Sequence, residues 1–449
     1  MKIGIVGAGW AGLAAASECL ANNLEVTLFD ASHAPGGRAR AVHDSELGDL
    51  DNGQHLLIGA YRNTLSILNR DLGHQHIASS LKRLPLWLQS VDGQFRIRHR
   101  ATQSSSTLAN AMVLLAAKGL SLKDKWQISA LLWRLRQART ANHQEKPNRL
   151  TVTQWLSEQQ QTPQACRWLW YPLCLATMNT KPDQASAVLF QNVLQDSLIS
   201  NEPGAIDLLL PTKTLSDLWP AHIAKRITTR WGHVVREIKP QANGVLIDGN
   251  QFDACVLAVP PNSLARLITP IAPFEGLLKG LSEFQFRSIA TCYVSVDRHQ
   301  PLPAPLLMFD HGKLGSDIQA QWVFDRNAFM GASPTAQLAF VISCADGLIK
   351  DNDLGLAHSL LAQLKRDWPT YTGKVLAARC YQEKRATFAA LPDLVRPKCE
   401  TPNPRIALAG DWTDTGYPAV IEGAVLSGIK AVHHLARLRT DQTLTAQSL

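Results

Sequence analysis

Residues 2–30 read KIGIVGAGWAGLAAASECLANNLEVTLFD, and the fold follows from this stretch. Ile3, Ile5 and Val6 form a short apolar run that stops at Gly7, Gly9 and Gly12. A good helix former, LAAASECLA, comes next, then a second apolar run over 26–29 that ends on Asp30. Strand, glycine turn, helix, strand and terminal acid are the context in which G-x-G-x-x-G signifies dinucleotide binding. The first glycine permits the turn, the second admits a pyrophosphate, and the third lets helix pack on strand. The helix start then faces the phosphate charge with free N–H groups. Asp30, 18 residues past Gly12, is placed to accept from a ribose hydroxyl. A secretory leader fits poorly, because three glycines interrupt the apolar run and an acid closes the second strand.

A chain of 449 residues can bury a large core, in two domains or one composite domain. Its 45% hydrophobic and 18% charged content is that of a folded protein. A net charge of +8 favours an anionic partner. The basic residues are dispersed and carry no nucleic-acid motif, so a membrane surface is expected rather than DNA or RNA. No apolar run reaches the roughly 18 residues of a spanning helix. The expected location is cytoplasmic, with peripheral contact on the inner membrane allowed. The eight cysteines contain no C-x-x-C pair and read as reduced buried thiols, with neither a metal site nor a disulfide framework.

Beyond Asp30, the loop ASHAPGGRARAV (31–42) carries Gly37, Arg38 and Arg40, and an arginine there can hold a phosphate in bidentate fashion. The segment LDNGQHLLIGAY (50–61) sets Gly53, Gln54 and His55 among apolar neighbours; buried, they need partners, and a cofactor ring could serve. LPLWLQSVDGQFRIR (84–98) reads as a hairpin turned at Asp92-Gly93. From 106 to 200 the pattern is helical. Residues 121–139 pair an apolar face with Lys123, Lys125, Arg134, Arg136 and Arg139; such a helix packs on its own core or lies in a membrane interface. Trp168 and Trp170 read as a core layer or as the wall of an apolar pocket. Strands return over 227–259, including one at 232–238, and again to about 400. A strand at 405–409 and a helix from about Ile421 close the pattern, with residues 438–449 expected as a flexible tail.

The chain resembles the flavin amine oxidase and phytoene desaturase superfamily, and within it the hydroxysqualene dehydroxylase family. The stretches carrying this are VGAGWAGLAAA (6–16), GGRAR (36–40), LDNGQHLLIGAY (50–61), WYPLCLATMNT (170–180), EKRATFAALP (383–392) and LAGDWTDTGYPAVIEGAVLSG (408–428). The resemblance implies an α/β fold: a Rossmann-like FAD-binding domain assembled from 1–75, 204–262 and 400–437. An α+β substrate domain (76–203 and 263–399) is inserted between these segments. It assigns Gly7, Gly9, Trp10, Ala11, Gly12 and Asp30 to the ADP half of FAD, Gly37 and Arg38 to the pyrophosphate side, and Val235 to the adenine. Gly53, Gln54 and His55 belong near the ring, and Gly410 and Asp411 with the ribityl chain. Glu422 and Ala424 belong to a helix start beneath the flavin pyrimidine, where a helix N-terminus steadies an anion. Residues 287–299 lack the Lys, and 413–418 the Cys, found in parts of the superfamily. Non-covalent FAD and a reaction other than amine oxidation are therefore expected.

The narrower resemblance implies removal of the hydroxyl of hydroxysqualene, a C30 allylic alcohol, to give squalene. An acid assists loss of water and reduced flavin N5 delivers hydride. The sequence leaves His55, Tyr417 and Asp51 as candidates for the acid, with Arg385 as an electrostatic group, and does not name the electron donor. Two other readings stand beside it: a carotenoid desaturase, and a prenyl-binding protein without redox work.

Overall fold

The computed structural model describes residues 1–99, 113–140, 149–268, 274–298, 300–313, 320–330, 335–348 and 352–446. Of the helical pattern expected from 106 to 200, residues 106–112 and 141–148 lie outside the described residues. Strand β1 (Lys2–Val6), helix α1 (Trp10–Ala21) and strand β2 (Glu25–Phe29) form the expected unit. β1 pairs in parallel with β2, Val6 opposite Phe29, and Ile3 and Ile5 are fully buried. Burial on both faces is why β1 shows no polar alternation. Gly7 has φ +111°, and a Cβ there would stand 2.5 Å from the Ala258 carbonyl oxygen. A Cβ on Gly12 would stand 1.8 Å from the Gly7 oxygen. The helix can therefore ride over the turn only without a side chain at either place.

The parallel sheet is completed by β3 (Thr228–Arg230), β4 (Ala254–Leu257) and β10 (Ile406–Leu408), in the order β3-β2-β1-β4-β10. Helix α2 (Arg62–Leu72) and the long closing helix α6 (Ile421–Ala446) pack together beside it, α6 lying against α1. A second, antiparallel sheet has the order β6-β7-β8-β5-β9. Its strands are β5 (Phe286–Val296), β6 (Leu306–Met308), β7 (Trp322–Asp325), β8 (Ala336–Ser343) and β9 (Val375–Phe388). Helices α4 (Tyr171–Met178) and α5 (Ala187–Asp196) line the cavity side, and α3 (Leu122–Thr140) packs on α5. The hairpin forms as expected, Trp87–Gln89 against Arg96–Arg98.

Several expectations are corrected. Residues 232–237 are irregular; the strand begins at Ile238, because the Asp248 carboxylate takes the Arg236 and Glu237 N–H groups. Cys292 and Cys380 face each other on adjacent strands and form a disulfide, with Cα atoms 4.1 Å apart, so they are not free thiols. The boundary at 75 and 76 separates strands of one sheet, since Leu57–Ile58 and Leu81–Leu84 both pair with Leu208–Pro211. Helix α6 runs to Ala446, so the tail expected from 438 is helical to that residue.

Candidate active site

A cavity of about 960 Å³ runs from the glycine turn to the antiparallel sheet, near the top of the roughly 300–1,000 Å³ range of small-molecule sites. Gly7, Gly9, Trp10, Ala11 and Asp30 line one end, with Gly36, Gly37, Arg38 and Val235. A Cβ built on Gly9 meets nothing within 4 Å, and no side chain caps the helix that starts beside it. The N-terminal turn of α1 thus opens on empty space with its dipole unanswered. Gly12 lies under the turn and does not reach the cavity. Asp30 accepts from the Ala8 N–H at 2.5 Å and the Ser32 N–H at 2.6 Å. Its carboxylate therefore braces the glycine turn, and further lone pairs remain at the cavity.

In the middle of the cavity two expected cofactor residues meet each other. Arg38 donates through Nη2 to Asp411 Oδ1 at 2.6 Å and through Nη1 to the Ala386 carbonyl at 2.6 Å. The neighbouring Asp411 holds the guanidinium above its ordinary value even though burial opposes its charge. Gly410 and Asp411 arrive from the end of β10, so this pair joins the two ends of the chain across the cavity wall.

Gly53, Gln54 and His55 line the far side. His55 Nδ1 lies 2.6 Å from the Gly53 carbonyl, and burial, assisted by the Arg38 charge, pushes the imidazole below its ordinary pKa. A carbonyl only accepts, so the neutral ring keeps its proton on Nδ1 and presents Nε2 as an acceptor. The residues of β5 at the cavity are Ile289 and Thr291, whose Oγ1 accepts from the Gln54 N–H at 3.2 Å. No amine stands there. Tyr61, at the start of α2, also lines the cavity, and its hydroxyl has no hydrogen-bond partner among the described residues. Burial, with the Glu422 charge nearby, raises the phenol further, so it stays protonated. The remaining wall is apolar, with Leu86, Leu173, Phe190, Leu194, Trp322 and Phe324.

Other expected residues lie elsewhere. Asp51 is buried behind the wall, where Oδ1 caps a short helix through the Leu215 N–H at 2.8 Å. The Tyr417 hydroxyl donates to Asp196 Oδ2 at 2.6 Å, away from the cavity. Arg385 points outward: β9 changes register against β5 between Glu383 and Thr387, and this bulge sends Glu383 inward instead. Glu422 is buried and accepts from the N–H groups of Asn63 and Thr64 and from both their side chains, at 2.7–2.9 Å. Its neighbours Ile421 and Ala424 do line the cavity. Trp168 stacks on Phe95 at 5.5 Å and Trp170 is fully buried; both belong to the core and not to the pocket. Sequence reasoning missed Glu383, Tyr61 and Thr291, although the first two fall inside the stretches that carry the resemblance.

The uncapped helix start, the side-chain-free space at Gly9 and the paired Arg38 and Asp411 fit a dinucleotide with an attached ring. Residues 10–436 match the sequence profile of the family Flavin containing amine oxidoreductase. The chain is 28% identical to a hydroxysqualene dehydroxylase of Rhodopseudomonas palustris, covering 95% of this chain and 96% of that protein. It is 22% identical to a zeta-carotene desaturase of Synechocystis, covering 98% and 99%. Among solved structures, a putrescine oxidase variant superposes with TM-score 0.69 at 17% identity, over 97% of this chain and 99% of its own. Carrying the glycine turn at one end of its cavity and the Asp411 segment beside it, this chain belongs to the flavin-containing amine oxidoreductase family and is an FAD-dependent oxidoreductase.

Proposed function

We propose that the chain removes the hydroxyl of hydroxysqualene to give squalene, as a step of squalene and hopanoid biosynthesis. The observation that carries this is the lining of the cavity: one space joins the glycine turn to an apolar wall that includes Leu173, Phe190, Leu194 and Phe324. The named relatives add support, since a hydroxysqualene dehydroxylase aligns over nearly the whole chain. FAD, bound non-covalently and in its reduced form, supplies the hydride. In the balance, the allylic C–O bond breaks, one proton joins the departing hydroxyl as water, and hydride takes the vacated carbon.

The chain's own residues have three tasks. Leu173, Phe190, Leu194 and Phe324 exclude water, which would otherwise capture the allylic cation. Arg38, Asp411 and the start of α1 would hold the cofactor's phosphates and ribityl chain, with Val235 toward the adenine. Tyr61 is the group placed to donate to the leaving oxygen: its phenol lines the cavity at the start of α2, and burial keeps its hydrogen in place until the oxygen takes it. His55, with its proton committed to Gly53, accepts from the substrate hydroxyl and orients it.

Anaerobic incubation of the FAD-loaded, dithionite-reduced protein with hydroxysqualene should yield squalene, read by mass spectrometry. Tyr61→Phe should slow this about 100-fold while leaving the flavin bound. Absence of squalene from the reduced wild type would sink the reading. Dehydrogenation of a polyene by the oxidised protein would then favour the desaturase alternative, to which the zeta-carotene desaturase likeness points. A C30 isoprenoid alcohol resides in lipid, so the protein works at a membrane surface. No helix among the described residues is long and apolar enough to cross one.

A further inference from the structure

We infer that the outward face of α3 is a docking surface for an anionic phospholipid bilayer. The helix buries Asp124, Ile128, Leu131 and Leu135 against the protein, one residue per turn. Its opposite side carries Leu122, Trp126 and Trp133, exposed by 80%, 74% and 63%. At about 100° per residue these three fall, with Ser129, within an arc of roughly 60°. That ridge is flanked by cations on both sides: Lys123 and Arg134 along one edge, Lys125 and Arg136 along the other. Leu115, 64% exposed, lies beside it, its carbonyl accepting from Lys125 Nζ at 2.6 Å.

Two tryptophans left in water at one ridge are costly for a soluble surface, which normally scatters its large apolar residues. Indole is also the side chain that settles at the boundary between headgroup and acyl chain. The charges argue for lipid rather than for a protein partner. Lys123, Lys125 and Arg134 make no ion pair among the described residues; Arg134 donates to the neutral Gln159 amide at 2.8 Å. The helix has one acid, Asp124, and it is turned inward onto Thr162 and the Ser121 N–H. An apolar ridge between two cationic rails matches the layered chemistry of anionic phospholipid: headgroup phosphate above, acyl chains below. The position is also apt. α3 packs on α5, whose Phe190, Val193 and Leu194 form part of the apolar cavity wall. Two packed helices, α3 and α5, therefore separate the docked bilayer from the cavity in which a lipid-borne substrate would react.

This deepens the membrane reading given above, and its test reads lipid binding without turnover. A protein that makes no squalene yet binds vesicles is thereby distinguished from one that does the reverse. FAD-loaded full-length protein is floated with vesicles of phosphatidylcholine and phosphatidylglycerol at 3:1, and with phosphatidylcholine alone. It should bind the anionic vesicles at least ten-fold more tightly, and 0.5 M salt should erase most of the difference, the screening length falling roughly two-fold from its value at 0.1 M. The double variant Trp126→Ser/Trp133→Ser should lose at least ten-fold in vesicle affinity while keeping its flavin absorbance. A second variant, Lys123→Gln/Lys125→Gln/Arg134→Gln, should lose the preference for anionic lipid. Equal vesicle binding by wild type and both variants overturns the proposal, as does no binding by the wild type. A wild-type dimer that the tryptophan variant dissociates in light scattering also overturns it, because the face then belongs to a second copy.

Discussion

Burial moves Asp51 and His55, four residues apart, in opposite directions. The Asp51 carboxyl is pushed up to about 7 by desolvation, against the Leu215 N–H and the Arg326 charge. The His55 imidazole is pushed down by its own burial. For Asp51 the folded protein holds its proton more tightly than the unfolded chain, so its contribution is complete below about pH 4 and is lost as pH rises through 7. For His55 the contribution is complete above about 6.5 and is lost as pH falls below it. Where both groups titrate, the two slopes oppose each other. Asp51→Asn keeps an acceptor for the Leu215 N–H and removes one slope. Its melting temperature should match wild type near pH 4 and exceed it above pH 7, by up to about 4 kcal/mol of stability. Equal melting curves at pH 8 would refute a buried, ionising Asp51. None of this was legible in the letters DNGQH. The stretch announces polar groups among apolar ones, but which of them turn to the cavity depends on Leu215 and Thr291, far away in the chain.

Elements meet where a residue of one finishes another. Glu422 stands in the first turn of α6, yet its carboxylate fills the first turn of α2, taking the Asn63 and Thr64 N–H groups and both their side chains. An anion set between two helix starts answers the positive ends of both. Glu422→Ala leaves those buried donors unsatisfied and should cost about 3 kcal/mol, with Glu422→Gln intermediate; urea unfolding followed by circular dichroism checks this. An unchanged midpoint for the alanine variant would show that the cap contributes nothing. Tyr61 immediately precedes α2, so loosening this joint should also impair turnover in the variant that remains folded. The sequence discloses both helices by their periodicity, and the glycine turn by its spacing. It does not disclose that they are tied by one carboxylate, because such a tie spans 358 residues between Thr64 and Glu422. The bulge in β9 is a similar case: period-two reading of EKRATF puts Glu383 and Arg385 on one face, and the slipped register separates them.

At the scale of the whole molecule, the cavity has walls from the glycine turn, both sheets, α4, α5 and the start of α6. A ligand that bridges so many segments binds the folded state alone, and at 1,000 times its dissociation constant should add about 4 kcal/mol. Flavin-stripped protein should therefore melt well below the same protein given excess FAD, and dithionite-reduced FAD should protect it comparably; scanning calorimetry reads both. No shift with FAD would mean that these walls do not close on it. The Arg38–Asp411 contact carries one more implication. Since the final parallel strand and one side of the cavity come from residues 406–424, the chain up to residue 424 must leave the ribosome before these walls can close. Cells starved of riboflavin should therefore accumulate full-length, protease-sensitive apoprotein instead of stalled nascent chains.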